Sequence, residues 1–554
     1  MARLTGRRYN RPLSLARSSS YSLGARVLTL VILFAAEAAV AGNYLDGHAS
    51  VPPGAWLTFV LHRRGALAVR CSIAFASLFA TFAYLKYGPH LTRLSKLAAG
   101  APVRIFSFAL HAASMAVFAM LSPIVYGGDV SASTSNLATA GWLIAGVLAV
   151  ASAALAVLPW ALWCELARAT GWLWSYSGAL ALIAGWLFQW THLLWQPTAR
   201  LTYSIVEVMG RPFFGEMINL PDRLEIGTQR FSIIIAEECS GLEGIGLLLV
   251  FGVIWLVLFR DEIRIGRALL LFPVGIVVLF LLNSVRILAL IAVGNAGAIA
   301  IATGGLHSQA GWLAFNSVAF GLCVMARNLP WISTRPRAAA RRRSEPDSTT
   351  ALLSPFLAIL AAGMISRAIS GSFEWWYGLR FGAAAVALIA FRRQYSNLGW
   401  RPSWAAAGWG ALVFVLWAAI DRTTGAAVQP MPATLSQAPS ALRIAWIITR
   451  VVGSVVTVPI AEELAFRAYL LRRFISADFD AVSLKSFTWF ALAASSVLFG
   501  LMHGTRWPAG ILAGLIYAFA MLRRGRLGDA VTAHAFTNAL LAAYVLIWSR
   551  WQFW

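Results

Sequence analysis

The sequence predicts an all-α polytopic membrane protein: two transmembrane helical bundle domains, the first carrying a small extracytoplasmic loop or strand element just before Cys239. Three observations carry that prediction. The chain is 59% hydrophobic and only 12% charged, against roughly 25% charged in a soluble domain. Apolar runs long enough to cross about 30 Å of hydrocarbon recur along it. One basic, proline-containing stretch, RNLPWISTRPRAAARRRSEPDSTT at 327–350, interrupts the runs and separates residues 1–326 from 351–554.

In the first domain the candidate spans are 25–41, 65–85, 105–125, 137–163, 170–192, 240–259, 267–292 and 309–326. The formal net charge of +23 fits basic residues gathered in cytoplasmic loops, which set orientation. No folded basic module stands clear of the apolar segments, which argues against nucleic-acid binding. Arg3, Arg7, Arg8, Arg11, Arg17 and Arg26 place the N-terminal tail in the cytoplasm. Alternation then puts 86–104 and 260–267 inside and YGGDVSASTSN outside, with His62, Arg63 and Arg64 as an exception on the outer side. The tail resembles a signal or transit peptide, with Ala41 as a cleavage point, although an uncleaved first anchor is the simpler account.

After the cytoplasmic linker 327–350, spans recur near 351–370, 375–391, 404–420, 441–465, 486–503, 508–522 and 528–548. The four cysteines are too few and too scattered for a disulfide framework, and no CxxC pair occurs. Cys71, Cys164 and Cys323 lie in or beside apolar runs and read as packing residues.

Cys239 is different. The alternation places 196–239 on the outer face, and its stretch RLEIGTQRFSIII (223–235) has the alternation of a strand or hairpin. Cys239 ends that segment in AEECSGLEG. Arg286, in LLNSVRILAL, falls in the outer half of the seventh span, and His307, in TGGLHSQAGW, in the next outer loop. A thiolate that attacks a carbonyl, a histidine that moves the proton and a guanidinium that stabilises the oxyanion make an acyl-transfer set. Arg286 is the most informative of the three, because a charge inside a span costs about 2.5–3.5 kcal/mol on insertion scales and usually faces a polar cavity. Each residue also has a milder reading: packing for the cysteine, solvation for the histidine, snorkelling for the arginine. Glu237, Glu238 and Glu243 oppose thiolate formation, whereas a helix N-terminus and Arg286 favour it; the acids also suit the first turn of a helix.

The segments ECSGLEG, NSVR and GLHSQAGW resemble the three motifs of the exosortases, bacterial membrane-embedded transpeptidases analogous to sortases. The resemblance implies Cys239 as nucleophile, Arg286 as transition-state stabiliser and His307 as acid/base, with Asn283 as a motif companion. It also implies secreted substrates whose C-terminal tag is a short motif, a transmembrane helix and an arginine cluster.

The second domain holds VPIAEELAFRAYLLRR (458–473), SSVLFGLMHG and TAHAFTNAL. Adjacent carboxylates in an apolar helix are costly unless paired or protonated. Glu463 and Arg467, four apart, share a helix face and can pair; Glu462 lies about 100° round the helix, free to act as a base. His503, and the pair His534 and Asn538 four apart, complete a set suited to water-mediated amide hydrolysis. Zinc ligation by Glu462, Glu463, His503 and His534 is the competing reading, without an HExxH motif. A third reading is a set of polar ties between helices. Alternation puts Glu462 and His503 at opposite ends of their spans, so they meet only if one helix is broken or re-entrant, for which Pro459 is suitably placed, or if the site lies near mid-membrane.

This set resembles the CPBP intramembrane proteases, which include the CAAX prenyl endopeptidases, whose motifs EExxxR, FxxxH and HxxxN stand here at Glu462 to Arg467, Phe499 to His503 and His534 to Asn538. The resemblance implies that Glu462 activates water with His503 while His534 and Asn538 bind the oxyanion. Some members of that family are scaffolds. An exosortase-like domain followed by a CPBP-like domain resembles the fused exosortase E/protease type, whose substrates carry a tag similar to Val-Pro-Glu-Ile-Asp. That resemblance implies an enzyme of the bacterial inner membrane, with the Cys239 site on the periplasmic side and no cofactor. Its expected partners are tagged export substrates, membrane lipids and an acceptor left open between water, an amine and a polysaccharide. The rivals are a second domain that only docks substrate, and a transporter or channel whose intramembrane charges relay ions.

Overall fold

The structure is a computed structural model that describes residues 51–99, 104–127, 130–236, 239–334, 347–423 and 429–554, together with Leu30, Leu33 and Glu37. Most of the expected span 25–41, the arginines of the N-terminal tail, Glu237, Glu238 and the centre of the basic linker lie outside the described residues. Among the described residues nine helices are long and apolar enough to cross a membrane, and strands are limited to three short segments. The chain is an all-α, multi-pass membrane protein. It divides into two compact units: Met1–Trp186, Arg401–Ala427 and Leu470–Ala533 form the first, and Leu187–Trp400, Val428–Tyr469 and His534–Trp554 the second.

In the first unit helices Ile105–Gly127 and Ala132–Val157 pair as a hairpin. Lipid is as apolar as leucine, so membrane helices are held together by close packing and polar contacts rather than by hydrophobic burial. Here Trp142 Nε1 donates to Ser122 Oγ at 3.0 Å, and Thr58 Oγ1 lies 2.8 Å from the hydroxyls of both Ser135 and Thr139. The expected span 137–163 is split, with one helix ending at Val157 and the next starting at Trp160. Pro159 steers the preceding residue away from helical angles, and Leu158 is extended (φ −125°, ψ 133°). Residues 86–99 of the expected loop 86–104 belong to helix Trp56–Ala99, which also contains His62, Arg63 and Arg64 and is kinked at Tyr87. Leu94 and Ala98, four apart and buried, give the last turns a packed face. A second hairpin, Trp489–Leu501 with Trp507–Arg524, carries His503 at its turn.

Helix Leu173–Gly210 runs past the expected end of its span at 192, so the segment from 196 to 210, in the second unit, is helical. Ala199, Tyr203 and Val206 are buried at i, i+4 and i+7, a periodicity that outweighs the polar residues between them. Next comes a three-stranded antiparallel meander: β1 (Ile218–Leu220), β2 (Glu225–Gly227) and β3 (Ser232–Ile234). Its register pairs Leu220 with Glu225, and Glu225 with Ile234. This is the strand element expected before Cys239. Its inner face supplies Ile226, with Ile235 just beyond β3, to a buried cluster shared by Ala199, Tyr203 and Val206 on one helix, Ile287 and Ile291 on another, and Cys239.

Helices Leu242–Leu258, Leu271–Asn295 and His307–Asn328 then pack around Leu248, Leu279 and Val318. Beyond the linker, Ser348–Ala368 and Gly378–Ala390 pack against the helical run Ser440–Leu471. That run does not break at Pro459. It passes through two π-helical stretches, Gly453–Thr457 and Leu464–Leu471, on either side of Val458–Glu463. The wider π turn accommodates the missing N–H and the ring of the proline without ending the helix.

Candidate active sites

The first site is organised from the backbone of Cys239 outward. Cys239 is 3% exposed, and its segment turns into helix Leu242–Leu258 through Gly241, the N-cap, at φ 85°. That left-handed conformation favours glycine, and the space is tight as well: a Cβ on Gly241 would stand 3.2 Å from Asn283 Nδ2. Asn283, on helix Leu271–Asn295, uses the close approach to donate from Nδ2 to the Cys239 carbonyl at 2.7 Å. The CSG and NSVR stretches are therefore joined by a buried hydrogen bond.

One turn further along the Asn283 helix, Arg286 enters the wall of a cavity of about 270 Å³. Asn283, Arg286, Glu243, His307 and Ser308 form its polar part, and Leu247, Leu279, Trp312 and Phe315 much of the apolar part. Nε and Nη2 of Arg286 are buried without a hydrogen-bond partner among the described residues. Gly311 gives Nη1 its space, since a Cβ there would lie 2.9 Å from it. A guanidinium inside a span with two nitrogens unpartnered among the described residues is expensive and available to a developing negative charge. His307 is not in a loop. It opens helix His307–Asn328, joined to Ile299–Ile301 by a π-helical turn, Ala302–Leu306, with Gly304 outside helical angles (φ −97°, ψ −110°). The diglycine bends the backbone without stopping it, which is why the sequence reads as a loop. Arg286 and His307 thus share one cavity, and Cys239 sits behind the part of its wall made by Gly241 and Asn283. Of the three acids around the thiol, Glu243 occupies the first helical turn and lines the cavity.

The second set is built around Glu463, which is fully buried. Its Oε1 accepts from His534 Nδ1 at 2.9 Å, and its Oε2 stands 3.0 Å from Arg467 Nε, off the hydrogen-bond axis, so that contact is coulombic. Glu463 and Arg467 pair along the helix as their spacing predicts. Glu462, on the adjoining face, keeps some exposure, and its Oε2 lies 3.9 Å from His534 Nε2, beyond hydrogen-bond range. With Nδ1–H donated to a carboxylate, Nε2 of a neutral His534 carries no proton; to donate to an oxyanion the ring must carry a second one.

Asn538, one turn after His534, donates from Nδ2 to the Ser454 carbonyl at 2.8 Å. The π register explains why that carbonyl needs a donor. Val458 N–H bonds Gly453 O, five residues back. The next such bond would join residue 459 to Ser454 O, but residue 459 is proline and has no N–H. The Asn538 amide supplies what Pro459 lacks.

His503 belongs to the first unit. Its Nδ1 lies 2.8 Å from Phe499 O. A carbonyl only accepts, so Nδ1 carries the proton and Nε2 is the basic nitrogen of the neutral ring. The rings of Phe499 and Trp417 flank it at 4.9 and 5.4 Å, and Arg506 pairs with Asp421 at 2.9 Å. Sequence reasoning missed Trp417, Asp421 and Arg506. Asp421 carries a signal, as a carboxylate at the end of an apolar span; Trp417 carries none. Among the described residues no group of three or more His, Cys, Asp and Glu side chains is placed to hold a metal ion.

Two family models match the chain. Residues 93–325 match the transmembrane exosortase family and residues 444–540 match the type II CAAX prenyl endopeptidase Rce1-like family. Cys239, Arg286 and His307 fall inside the first match, and Glu462, Glu463, Arg467, His503, His534 and Asn538 inside the second. The order, exosortase-like then CAAX-protease-like, agrees with the motif reading. No curated protein and no solved structure matches the chain significantly. The two families indicate peptidase activity in a membrane protease or transpeptidase, and the first implies protein substrates with sorting signals.

Proposed function

We propose that the first site is a cysteine transpeptidase that cleaves C-terminal sorting tags from exported proteins in a bacterial inner membrane, working from its outer face. The observation that carries this reading is the shared cavity of Arg286 and His307, tied to the Cys239 backbone through Asn283. The Cys239 thiol gives its proton to His307, and Sγ bonds to the carbonyl carbon of the scissile peptide. Arg286 donates to the resulting oxyanion through the nitrogens that have no partner among the described residues. The C–N bond then breaks, His307 returns the proton to the leaving amine, and an acyl thioester remains on Cys239. Water, an amine or a hydroxyl of a polysaccharide attacks that thioester and releases the thiol. The apolar depth of the cavity, lined by Leu247, Leu279 and Phe315, suits a substrate that arrives from a membrane helix.

The second site is read as a glutamate-dependent intramembrane protease. Glu462 takes a proton from water, and Glu463 anchors His534 and pairs with Arg467. A docking scaffold is the alternative, favoured by one observation: His534 Nδ1 and one Asn538 donor are already committed to Glu463 and to the Ser454 carbonyl. Coexpression of a tagged substrate with wild type, Cys239→Ala and Glu462→Ala separates the readings. Tag removal is expected to vanish in Cys239→Ala, and unchanged removal there would sink the transpeptidase reading. Loss in Cys239→Ala alone favours the scaffold.

A further inference from the structure

The helix that succeeds the basic linker meets the exosortase-like segment at a point two residues from His307. Gly305, in the π turn Ala302–Leu306, lies so close to the C-terminal end of helix Ser348–Ala368 that an added Cβ would fall 1.6 Å from the Arg367 carbonyl oxygen and 2.9 Å from the Ser370 carbonyl oxygen. Both obstacles are backbone atoms, which cannot rotate away. Gly371 makes the reciprocal approach, since its Cβ would stand 3.2 Å from the Ala300 Cβ. Side chains extend the contact: Arg367 Nη2 reaches Gln309 Oε1 at 3.5 Å, Gln309 Nε2 reaches Ser308 Oγ at 3.3 Å, and Ser308 Oγ reaches Gly305 O at 3.3 Å. These distances are long for hydrogen bonds, so the backbone contact decides the geometry and the side chains adapt to it.

We infer that residues 367–371 position His307. The turn that brings the histidine to the cavity beside Arg286 leaves helical angles at Gly304, whose carbonyl accepts from the His307 N–H. Beyond that one bond, the bend leans on the end of helix Ser348–Ala368, where the Gly305 backbone is in close approach. The linker therefore delivers more than a second catalytic set, because the first helix after it is the brace on which the acid/base of the first site rests. Gly305 and Gly371 are positioning residues that act through His307. A displacement of about 1 Å at a reacting group can cost roughly a hundredfold in rate, so the brace is expected to appear in turnover rather than in substrate binding.

This inference rests on the transpeptidase reading, and the experiment keeps the two apart. Tag removal is measured with full-length wild type, Cys239→Ala, Gly305→Ala and Gly371→Ala in detergent or vesicles, with kcat and KM determined separately. Activity surviving in Cys239→Ala refutes the transpeptidase reading itself. With that control inactive, Gly305→Ala is expected to lower kcat about tenfold to a hundredfold with KM within about twofold. Gly371→Ala, whose neighbour has to yield only a few tenths of an ångström, is expected to lower kcat several-fold with the same unchanged KM. If Gly305→Ala does not accumulate in the membrane, the Gly371→Ala result decides. A kcat within twofold of wild type in the folded variant, or a loss expressed only in KM, overturns the positioning role.

Discussion

The buried pair of Glu463 and Arg467 gives the most quantitative prediction. Replacing Arg467 with methionine keeps most of the side-chain volume and removes the charge. The guanidinium and the carboxylate are 2% and 0% exposed, with Nε and Oε2 3.0 Å apart. At an effective dielectric of about 20, two unit charges at that distance attract by roughly 5 kcal/mol, and removing one member of a buried pair costs about 3–5 kcal/mol. The double variant Glu463→Leu/Arg467→Met eliminates the stranded carboxylate and is expected to recover most of the loss. It cannot recover everything, because His534 Nδ1 would lose the acceptor it now reaches at 2.9 Å, a deficit of about 1–3 kcal/mol. Reversible unfolding in mixed micelles, with wild type and both variants followed by the same probe, measures each contribution. A single Arg467→Met variant within about 1 kcal/mol of wild type would refute the account, because it would mean that Glu463 is compensated without the arginine.

Two other residues give sharp outcomes. Asn538→Ala should destabilise by about 1–3 kcal/mol by orphaning the Ser454 carbonyl, and the cost should shrink in a Pro459→Ala background, where residue 459 regains an N–H. Equal costs in both backgrounds, measured by the same unfolding assay, would contradict the pairing of Asn538 with the proline. Arg286→Lys should retain charge yet lower tag removal by about a hundredfold or more, since an ammonium lacks the planar fork that can present two donors to one oxyanion. A kinetic comparison giving less than about tenfold loss would assign Arg286 a merely electrostatic role.

Much of this is legible in the residues. Helical spans arise from apolar runs, and the meander before Cys239 from the alternation in 223–235. The pairing of Glu463 with Arg467 comes from their spacing, because i,i+4 proximity is a property of the helix itself. Three things are not legible, each for a physical reason. Polar residues at 196–210 mask a helix whose buried stripe is carried by Ala199, Tyr203 and Val206. Gly304 and Gly305 before His307 imitate a loop, yet Gly305 is required by the close approach of another backbone. Pro459 imitates a break, yet the π register and the Asn538 amide absorb its missing donor. For Gly305 and Pro459 the deciding partner lies far away in sequence and local pattern carries no trace of it, whereas the 196–210 stripe is present locally but sparse.

The transpeptidase reading stands on a covalent bond to Cys239. Purified wild type incubated with a tagged substrate and stopped with acid should yield, after digestion, a peptide containing Cys239 that carries the mass of the substrate acyl group. Neutral hydroxylamine should remove that mass, as expected for a thioester. Cleaved substrate without the adduct, accompanied by undiminished cleavage in Cys239→Ala, would contradict the account.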